Sequence, residues 1–133
     1  MIVGHGIDLI EIHRIREMVR RHGDHFLSRV FTHAELEYCA KSPKRYFEHL
    51  AGRFAAKEAV LKALGTGWSG GIAWTDIQIL ANHAGRPEVQ LNGHCSELAN
   101  KLGVSSWQLS ISHISTHATA SAIAVGTTDK VTR

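Results

Sequence analysis

The sequence predicts an α+β fold, a mostly antiparallel sheet packed on one long helix. Three observations predict it. The chain opens on an apolar run, Ile2 to Ile10. Helical patterns follow, the longest spanning about Pro43 to Leu64. Short β-prone runs between turn residues then fill the second half, so the order is β, several α, then β-β-α-β-β.

The opening run is interrupted by Gly4, Gly6 and Asp8 and reads as a strand, with glycines where another backbone approaches. Ile12, Ile15 and Val19 recur at helical spacing, and Gly23 closes that helix. Thr32 and Glu35 form a capping-box pair that opens a short helix holding Leu36 and Tyr38. Ser42-Pro43 breaks it, and Pro43 suits the first turn of the long helix, for which Gly65 is the left-handed stop. Gly65 to Gly71 holds four glycines in seven residues and reads as a loop. Trp74 to Leu80 is a predicted strand, Asn82 to Pro87 a turn, and Pro87 to Leu91 a second strand. Glu97 to Leu102 lies in a short helix ending at Gly103. Trp107 to Ser112 and Ala118 to Val125 read as a hairpin around His113 to His117, and the residues from Thr127 on as a frayed tail.

The chain has 133 residues, 44% of them hydrophobic and 20% charged. At about 150 residues per domain that is one domain, residues 1–133. A chain of this size buries about two-thirds of its unfolded surface, which excludes the disulfide-stapled miniproteins. Cys39 and Cys95 stand 56 positions apart, match no metal or redox spacing, and read as reduced thiols of a cytoplasmic protein. No apolar run approaches the roughly 18 residues of a membrane helix. Asp8 and Glu11 occupy the stretch where a secretory signal would be apolar. The charge balance is a mild +3. The ten histidines, including the pairs His22/His25 and His113/His117, lack the convergent ligands of a zinc site.

The informative feature is two carboxylates where the local rules want apolar residues. On the long helix the apolar stripe runs Phe47, Leu50 or Ala51, Phe54, Glu58, Leu61, so Glu58 falls on or beside the core face. Asp8, a poor strand former, sits between Ile7 and Leu9. Buried carboxylates need pairing, protonation or a cation. Oxygen ligands suit Mg²⁺, which usually takes one or two carboxylates plus substrate phosphates. Lys62, one turn beyond Glu58 and just before the Gly-rich loop, is placed to hold a phosphate. The alternative is an ordinary helical Glu–Lys pair with Asp8 as a strand-end turn residue. The Gly-rich loop follows a helix instead of preceding one, which excludes a P-loop.

The first helix is basic. Arg14, Met18 and Arg21 share one face at steps of four and three, and two arginines flanking an exposed methionine suit an acidic amphipathic helix. A solvated helix face is the alternative. Nucleic acid fits less well, because no aromatic residues are interleaved with the basic ones.

The strings GIDLIEIHRI (Gly6 to Ile15), RFAAKEAVLKALGTG (Arg53 to Gly67), Trp74-Thr-Asp-Ile, Gly85-Arg-Pro and Ser110-Ile-Ser-His113 occur in this order. Together they resemble the bacterial holo-[acyl-carrier-protein] synthases, short 4′-phosphopantetheinyl transferases, over nearly the whole chain. The resemblance implies transfer of phosphopantetheine from coenzyme A to a serine of apo acyl carrier protein, serving fatty acid biosynthesis and releasing adenosine 3′,5′-bisphosphate. It implies that Asp8 and Glu58 hold Mg²⁺ and that Lys62 contacts the phosphates and helps the leaving group. It implies further that Arg53, Gly65, Arg86 and His113 help hold coenzyme A, and that Arg14, Met18 and Arg21 dock the carrier protein. Glu58, directly or through water, is the expected acceptor of the serine proton. A homotrimer with sites at subunit interfaces is expected, so that His113 serves a neighbouring chain. Ile114 and His117 stand where related sequences often have threonine and an aromatic residue, and His5 where a smaller apolar residue is common.

Two readings from other classes compete with the transferase. One is a non-enzymatic module that binds an acidic protein through the basic first helix. The other is a small nucleic-acid binder, whose affinity would fall steeply with salt.

Overall fold

The structure, a computed structural model, describes residues 1–68 and 71–127. Among the described residues, five helices and five strands follow the predicted order. Strand β1 spans Ile2–Glu11 and runs directly into α1, Ile12–His22. Helices α2 (Asp24–Val30) and α3 (His33–Ala40) lead through a 3-10 turn at Pro43–Arg45 into α4, Tyr46–Leu64. A second 3-10 turn, Trp74–Asp76, precedes β2 (Ile77–Ala81) and β3 (Pro87–Leu91). Helix α5 (Gly93–Lys101) and the hairpin β4 (Val104–His113) and β5 (His117–Gly126) complete the described chain.

The main sheet has the order β1-β5-β4 and is antiparallel throughout; β2 and β3 form a separate antiparallel pair. The long helix α4 lies across the main sheet, and the contact is built from small residues. Alanines 118, 120, 122 and 124 of β5 face it with at most 1% exposure. Gly4 and Gly6 of β1 lie against its backbone: a Cβ on Gly4 would stand 1.9 Å from the Ala63 carbonyl oxygen, and one on Gly6 2.0 Å from that of Ala59. Those glycines are therefore required by close approach, as the sequence suggested.

Alanines 55, 56, 59 and 63 answer from α4, and the helix is buried nearly all round. From Leu50 to Leu64 every residue is buried except Phe54, Glu58 and Lys62. This corrects the predicted stripe. Glu58 and Phe54 do not share the core face with Leu61; they lie with Lys62, at four-residue spacing, on the one strip of the helix that the fold leaves half open. Alanine carries too little apolar area to mark a core face in a periodicity count, although it is what permits the close helix–sheet contact.

The capping box at α3 forms as predicted, with Glu35 N–H donating to Thr32 Oγ1 (3.2 Å) and Thr32 N–H to Glu35 Oε1 (2.8 Å). Glu35 is also fully buried, accepts the Ile79 N–H at 2.7 Å and pairs with Lys57 at 2.8 Å. Lys57, equally buried, donates to the carbonyls of Trp74 (3.1 Å) and Ile77. Burial pushes its ammonium pKa down, and the Glu35 charge opposes that shift. The pair ties α3, α4 and β2 together through the core.

Other boundaries moved. The segment Asp24–Val30, for which no element was predicted, is helical; at seven residues it is too short to show a stripe beyond Phe26 and Val30. The predicted strand Trp74 to Leu80 begins as a 3-10 turn, because the Asp76 carboxylate accepts the Ala73 N–H at 3.1 Å, and becomes extended at Ile77. Helix α5 starts at Gly93, before the predicted Glu97. Residues 69 and 70 of the glycine-rich loop, and the tail beyond Thr127, lie outside the described residues. Among the described residues no helix is long and apolar enough to cross a membrane.

Candidate active site

Strand β1 presents Gly4, Gly6 and Asp8 on one face, since side chains two apart point the same way. The glycines bring that face into backbone contact with α4, so Asp8 is delivered to the helix. There Lys62 Nζ donates to Asp8 Oδ1 at 3.2 Å and to the Ile7 carbonyl at 2.9 Å. Lys62 thus bonds across to the strand, not along its own helix to Glu58. The Asp8 side chain is 17% exposed and that of Lys62 55% exposed, so the pair sits at a surface and not in the core. Thr119 Oγ1 donates to the Asp8 carbonyl at 2.8 Å and holds the strand.

Glu58 lies one turn before Lys62 on the same half-open strip and accepts the Trp68 indole N–H at 3.0 Å. The two misplaced carboxylates therefore flank one turn of α4, with an ammonium beside them. Neither is an unpaired core charge. Among the described residues no cluster of three or more His, Cys, Asp or Glu could hold a metal by itself. Two carboxylates beside a lysine fit magnesium, whose shell is ordinarily completed by water and phosphate oxygens. Gly65 ends α4 in the left-handed conformation (φ 81°), its N–H bonded to the carbonyls of Leu61 and Lys62, and so turns the chain away just past the site.

A second group of predicted residues assembles on another side of α4. Arg53 is 6% exposed and lies over the Tyr38 ring at 4.1 Å. His113, at the end of β4, stands edge-on to His49, and its Nδ1 approaches Glu48 at 3.4 Å. Among the described residues Arg53 Nε, His49 Nδ1 and His113 Nδ1 are buried without a hydrogen-bond partner. Burial, then Arg53 and His113, pull the His49 pKa down, with Glu48 opposing. Orphaned nitrogens around an arginine are the chemistry of an anion site. His49 was not singled out in the sequence; its only signal is its place one turn before Arg53.

Arg53 and Glu58 are five positions apart, about 140° around the helix. One chain therefore joins Asp8 to Lys62, one helical turn from Glu58, and places Arg53 and His113 beside His49, on different sides of α4. Arg86 is exposed in the β2–β3 turn, where Asn82 Oδ1 accepts its backbone N–H at 3.0 Å.

On α1, Arg14, Met18 and Arg21 are all exposed, Met18 at 39%. Arg20 takes the bidentate contact with Glu17 (2.8 and 3.1 Å), and Arg21 stays 3.8 Å from it. Met18 edges a cavity of about 400 Å³ whose walls include Phe26, Arg29, Phe54 and Trp74. The contribution of α2 to this surface was not legible, because α2 itself was not.

Comparison with known proteins gives these residues a context. The 4′-phosphopantetheinyl transferase superfamily matches residues 4–124. A holo-[acyl-carrier-protein] synthase of Koribacter versatilis is 44% identical over 123 residues, 92% of this chain and 98% of the relative. One from Chlamydia pneumoniae is 48% identical over 124 residues, 93% and 98% of the two chains. Among solved structures, the holo-[acyl-carrier-protein] synthase of Neisseria meningitidis superposes with a TM-score of 0.85 at 34% identity, covering 94% of this chain and 99% of its own. That of Helicobacter pylori, solved in complex with coenzyme A, gives 0.80 at 31% identity, covering 91% and 99%. By its sequence and its fold, the chain belongs to the 4′-phosphopantetheinyl transferase superfamily.

Proposed function

We propose that the chain is a holo-[acyl-carrier-protein] synthase: it transfers the phosphopantetheine group of coenzyme A to a serine of apo acyl carrier protein and releases adenosine 3′,5′-bisphosphate. The observation that carries this reading is the meeting of Asp8 with Lys62, one turn from Glu58, on the half-open strip of α4 in a chain of this family.

Asp8 and Glu58 are the residues that would hold magnesium. When bound, the ion supplies positive charge against the diphosphate and the leaving phosphate. Lys62 is free to exchange its Asp8 contact for a phosphate oxygen, and its exposure permits that movement. The serine oxygen bonds to the phosphorus bearing pantetheine as the bridging oxygen leaves with adenosine 3′,5′-bisphosphate. Glu58 takes the serine proton, directly or through water, while Trp68 holds its other oxygen. The remaining acceleration comes from positioning and fixed charge, as in other phosphoryl transfers.

Arg53 and His113, with His49 beside them, hold the anionic end of coenzyme A, and Arg86 assists from the hairpin turn. Because these residues face away from Glu58 within one chain, a complete site needs a second copy. A homotrimer supplies it. The outward face of β1 supports such assembly: Ile7 is 60% exposed and Leu9 67% exposed on an edge strand. Arg14, Met18 and Arg21 dock the acidic carrier protein, with its apolar side in the cavity beside Met18.

The 133 residues form a single transferase domain, in keeping with one contiguous core. Cys39 and Cys95 are free and buried, and burial pushes both thiols up to about 11, which fits unreactive cysteines of a cytoplasmic enzyme serving fatty acid biosynthesis.

The test incubates the protein with coenzyme A, Mg²⁺ and apo carrier protein, and follows the carrier by mass spectrometry. A gain of one phosphopantetheine is expected, and none when the metal is chelated. A non-enzymatic docking module would bind the carrier without changing its mass. A nucleic-acid binder would do neither.

A further inference from the structure

We propose that Trp68 is a positioning residue for Glu58, fixed by an aromatic bracket that runs back to the helix carrying Glu58. The proposal rests on the reading of Glu58 as a magnesium ligand. Trp68 belongs to the loop after α4, a segment that otherwise offers glycines and no obvious chemistry. Its indole N–H donates to Glu58 Oε2 at 3.0 Å. A carboxylate on a half-open strip of helix, with three side-chain torsions, would otherwise sample several rotamers. One charge-assisted hydrogen bond selects among them and engages only one of the two oxygens.

Trp68 can do this because it is itself held. Its ring lies against Trp74, centroids 3.8 Å apart and planes 37° apart. Trp74 stacks on Phe54 at 4.9 Å and 27°. Phe54 stands one turn before Glu58 on the same strip of α4. The bracket thus leaves α4 at Phe54, passes through two indoles, and returns to α4 at Glu58. Its middle member is anchored in the core, since the Trp74 carbonyl accepts from buried Lys57. Phe54 and Trp74 also wall the cavity beside Met18, so the rings that fix Glu58 are shared with the proposed carrier-docking surface.

Two variants separate the hydrogen bond from packing: Trp68→Phe removes the N–H together with the five-membered ring, and 3-benzothienylalanine at position 68 keeps a bicyclic ring of the same shape and removes the N–H alone. Magnesium is titrated calorimetrically into protein saturated with coenzyme A and lacking carrier protein, so that nothing turns over. Losing a donor to a metal-ligating group typically costs about 10- to 100-fold in affinity. We expect both variants to weaken magnesium binding by about tenfold, and the benzothienyl variant to keep its thermal midpoint in the absence of metal. Turnover at limiting magnesium should fall in parallel and recover at high magnesium. Trp107→Phe, which removes an indole elsewhere, should leave both unchanged. A magnesium affinity within about twofold of wild type in the benzothienyl variant would overturn the proposal. If the wild type itself bound no magnesium with coenzyme A present, the metal reading would fall first, and this inference with it.

Discussion

Two clusters on different sides of α4 carry the proposed chemistry, and they are built differently. Around Asp8, Glu58 and Lys62 the charges answer one another: the lysine bonds the aspartate and an indole bonds the glutamate. Around Arg53, His49 and His113 the answer is partial: Glu48 lies 3.4 Å from His113 Nδ1, but three buried nitrogens make no hydrogen bond among the described residues. The first cluster is preorganised by its own chain. The second is a set of donors and a buried positive charge that Glu48 meets only in part, which suits the proposed anionic ligand. A reacting centre benefits from geometry fixed in advance. A subsite for an anionic handle needs only unmet donors and a field of the right sign.

The contrast breaks most sharply at Glu58. Removing a proton acceptor typically costs about 10²- to 10⁴-fold in rate, so Glu58→Ala should lose turnover on that scale, and added magnesium should not restore it. Full turnover of that variant at any magnesium concentration would end the assignment. Asp8→Ala should be partly rescued by magnesium, because the role proposed for Asp8 is that of a ligand.

Next in size is the frame beneath the first cluster. Lys57→Met strands a buried carboxylate at Glu35, and breaking such pairs costs about 3–5 kcal/mol. Urea unfolding of the variant should show that loss, and the double variant Glu35→Gln/Lys57→Met should recover part of it. An additive double variant would mean that the pair is not a unit. Gly6→Ala attacks the same frame from the strand. Its Cβ would meet the Ala59 carbonyl oxygen at 2.0 Å, so β1 must lift from α4, for about 1–3 kcal/mol or more. That displacement also parts Asp8 from Lys62, so activity should fall in protein that remains folded.

The second cluster should respond in affinity and not in rate. Arg53→Gln removes a charged donor, a loss of about 1.5–3 kcal/mol, or about 10- to 100-fold in KM for coenzyme A at nearly unchanged kcat. A fall in kcat with constant KM would place Arg53 in the first cluster instead.

The smallest expected effect is the pH response of His49. Burial and its cationic neighbours lower its pKa below the ordinary 6.5. A lowered folded value contributes stability that is present above the unfolded pKa and lost as pH falls through the folded one. As the pH falls below 6.5 the wild type should therefore lose thermal stability more steeply than His49→Gln. A bound phosphate reverses the local field, so coenzyme A should raise the pKa of His49 and flatten that slope. An unchanged slope with coenzyme A present would remove His49 from the subsite.

Much of the first cluster was legible before the fold was known. Aspartate inside an apolar strand violates a local rule, and such violations persist where something else requires them, whereas Glu58 is picked out by a stripe that the fold replaces with the half-open strip of Phe54, Glu58 and Lys62. The glycines of β1, the Thr32–Glu35 box and the Gly65 stop are backbone requirements of short range. A sequence states those directly. The second cluster was legible only through resemblance to a family, and only as Arg53 and His113. Nothing in the local pattern marks His49, Glu48 or Tyr38, because a histidine or tyrosine near a helix end breaks no rule.

What the sequence determined by itself is the order of elements, the caps and turns, and the identity of the anomalous acids, because each depends on residues within about a turn of one another. What only the tertiary structure decided is which faces are covered. Periodicity says which residues share a side of a helix, not how many sides will be buried. Hence α4 could be read as having one apolar stripe, when its alanines in fact let the sheet close over it and left Phe54, Glu58 and Lys62 uncovered. The pairing of Glu35 with Lys57, the reach of Lys62 to Asp8 and the return of Trp68 to Glu58 join distant segments. Burial and long-range contact are properties of the packed chain, and they exist only once the layers have met.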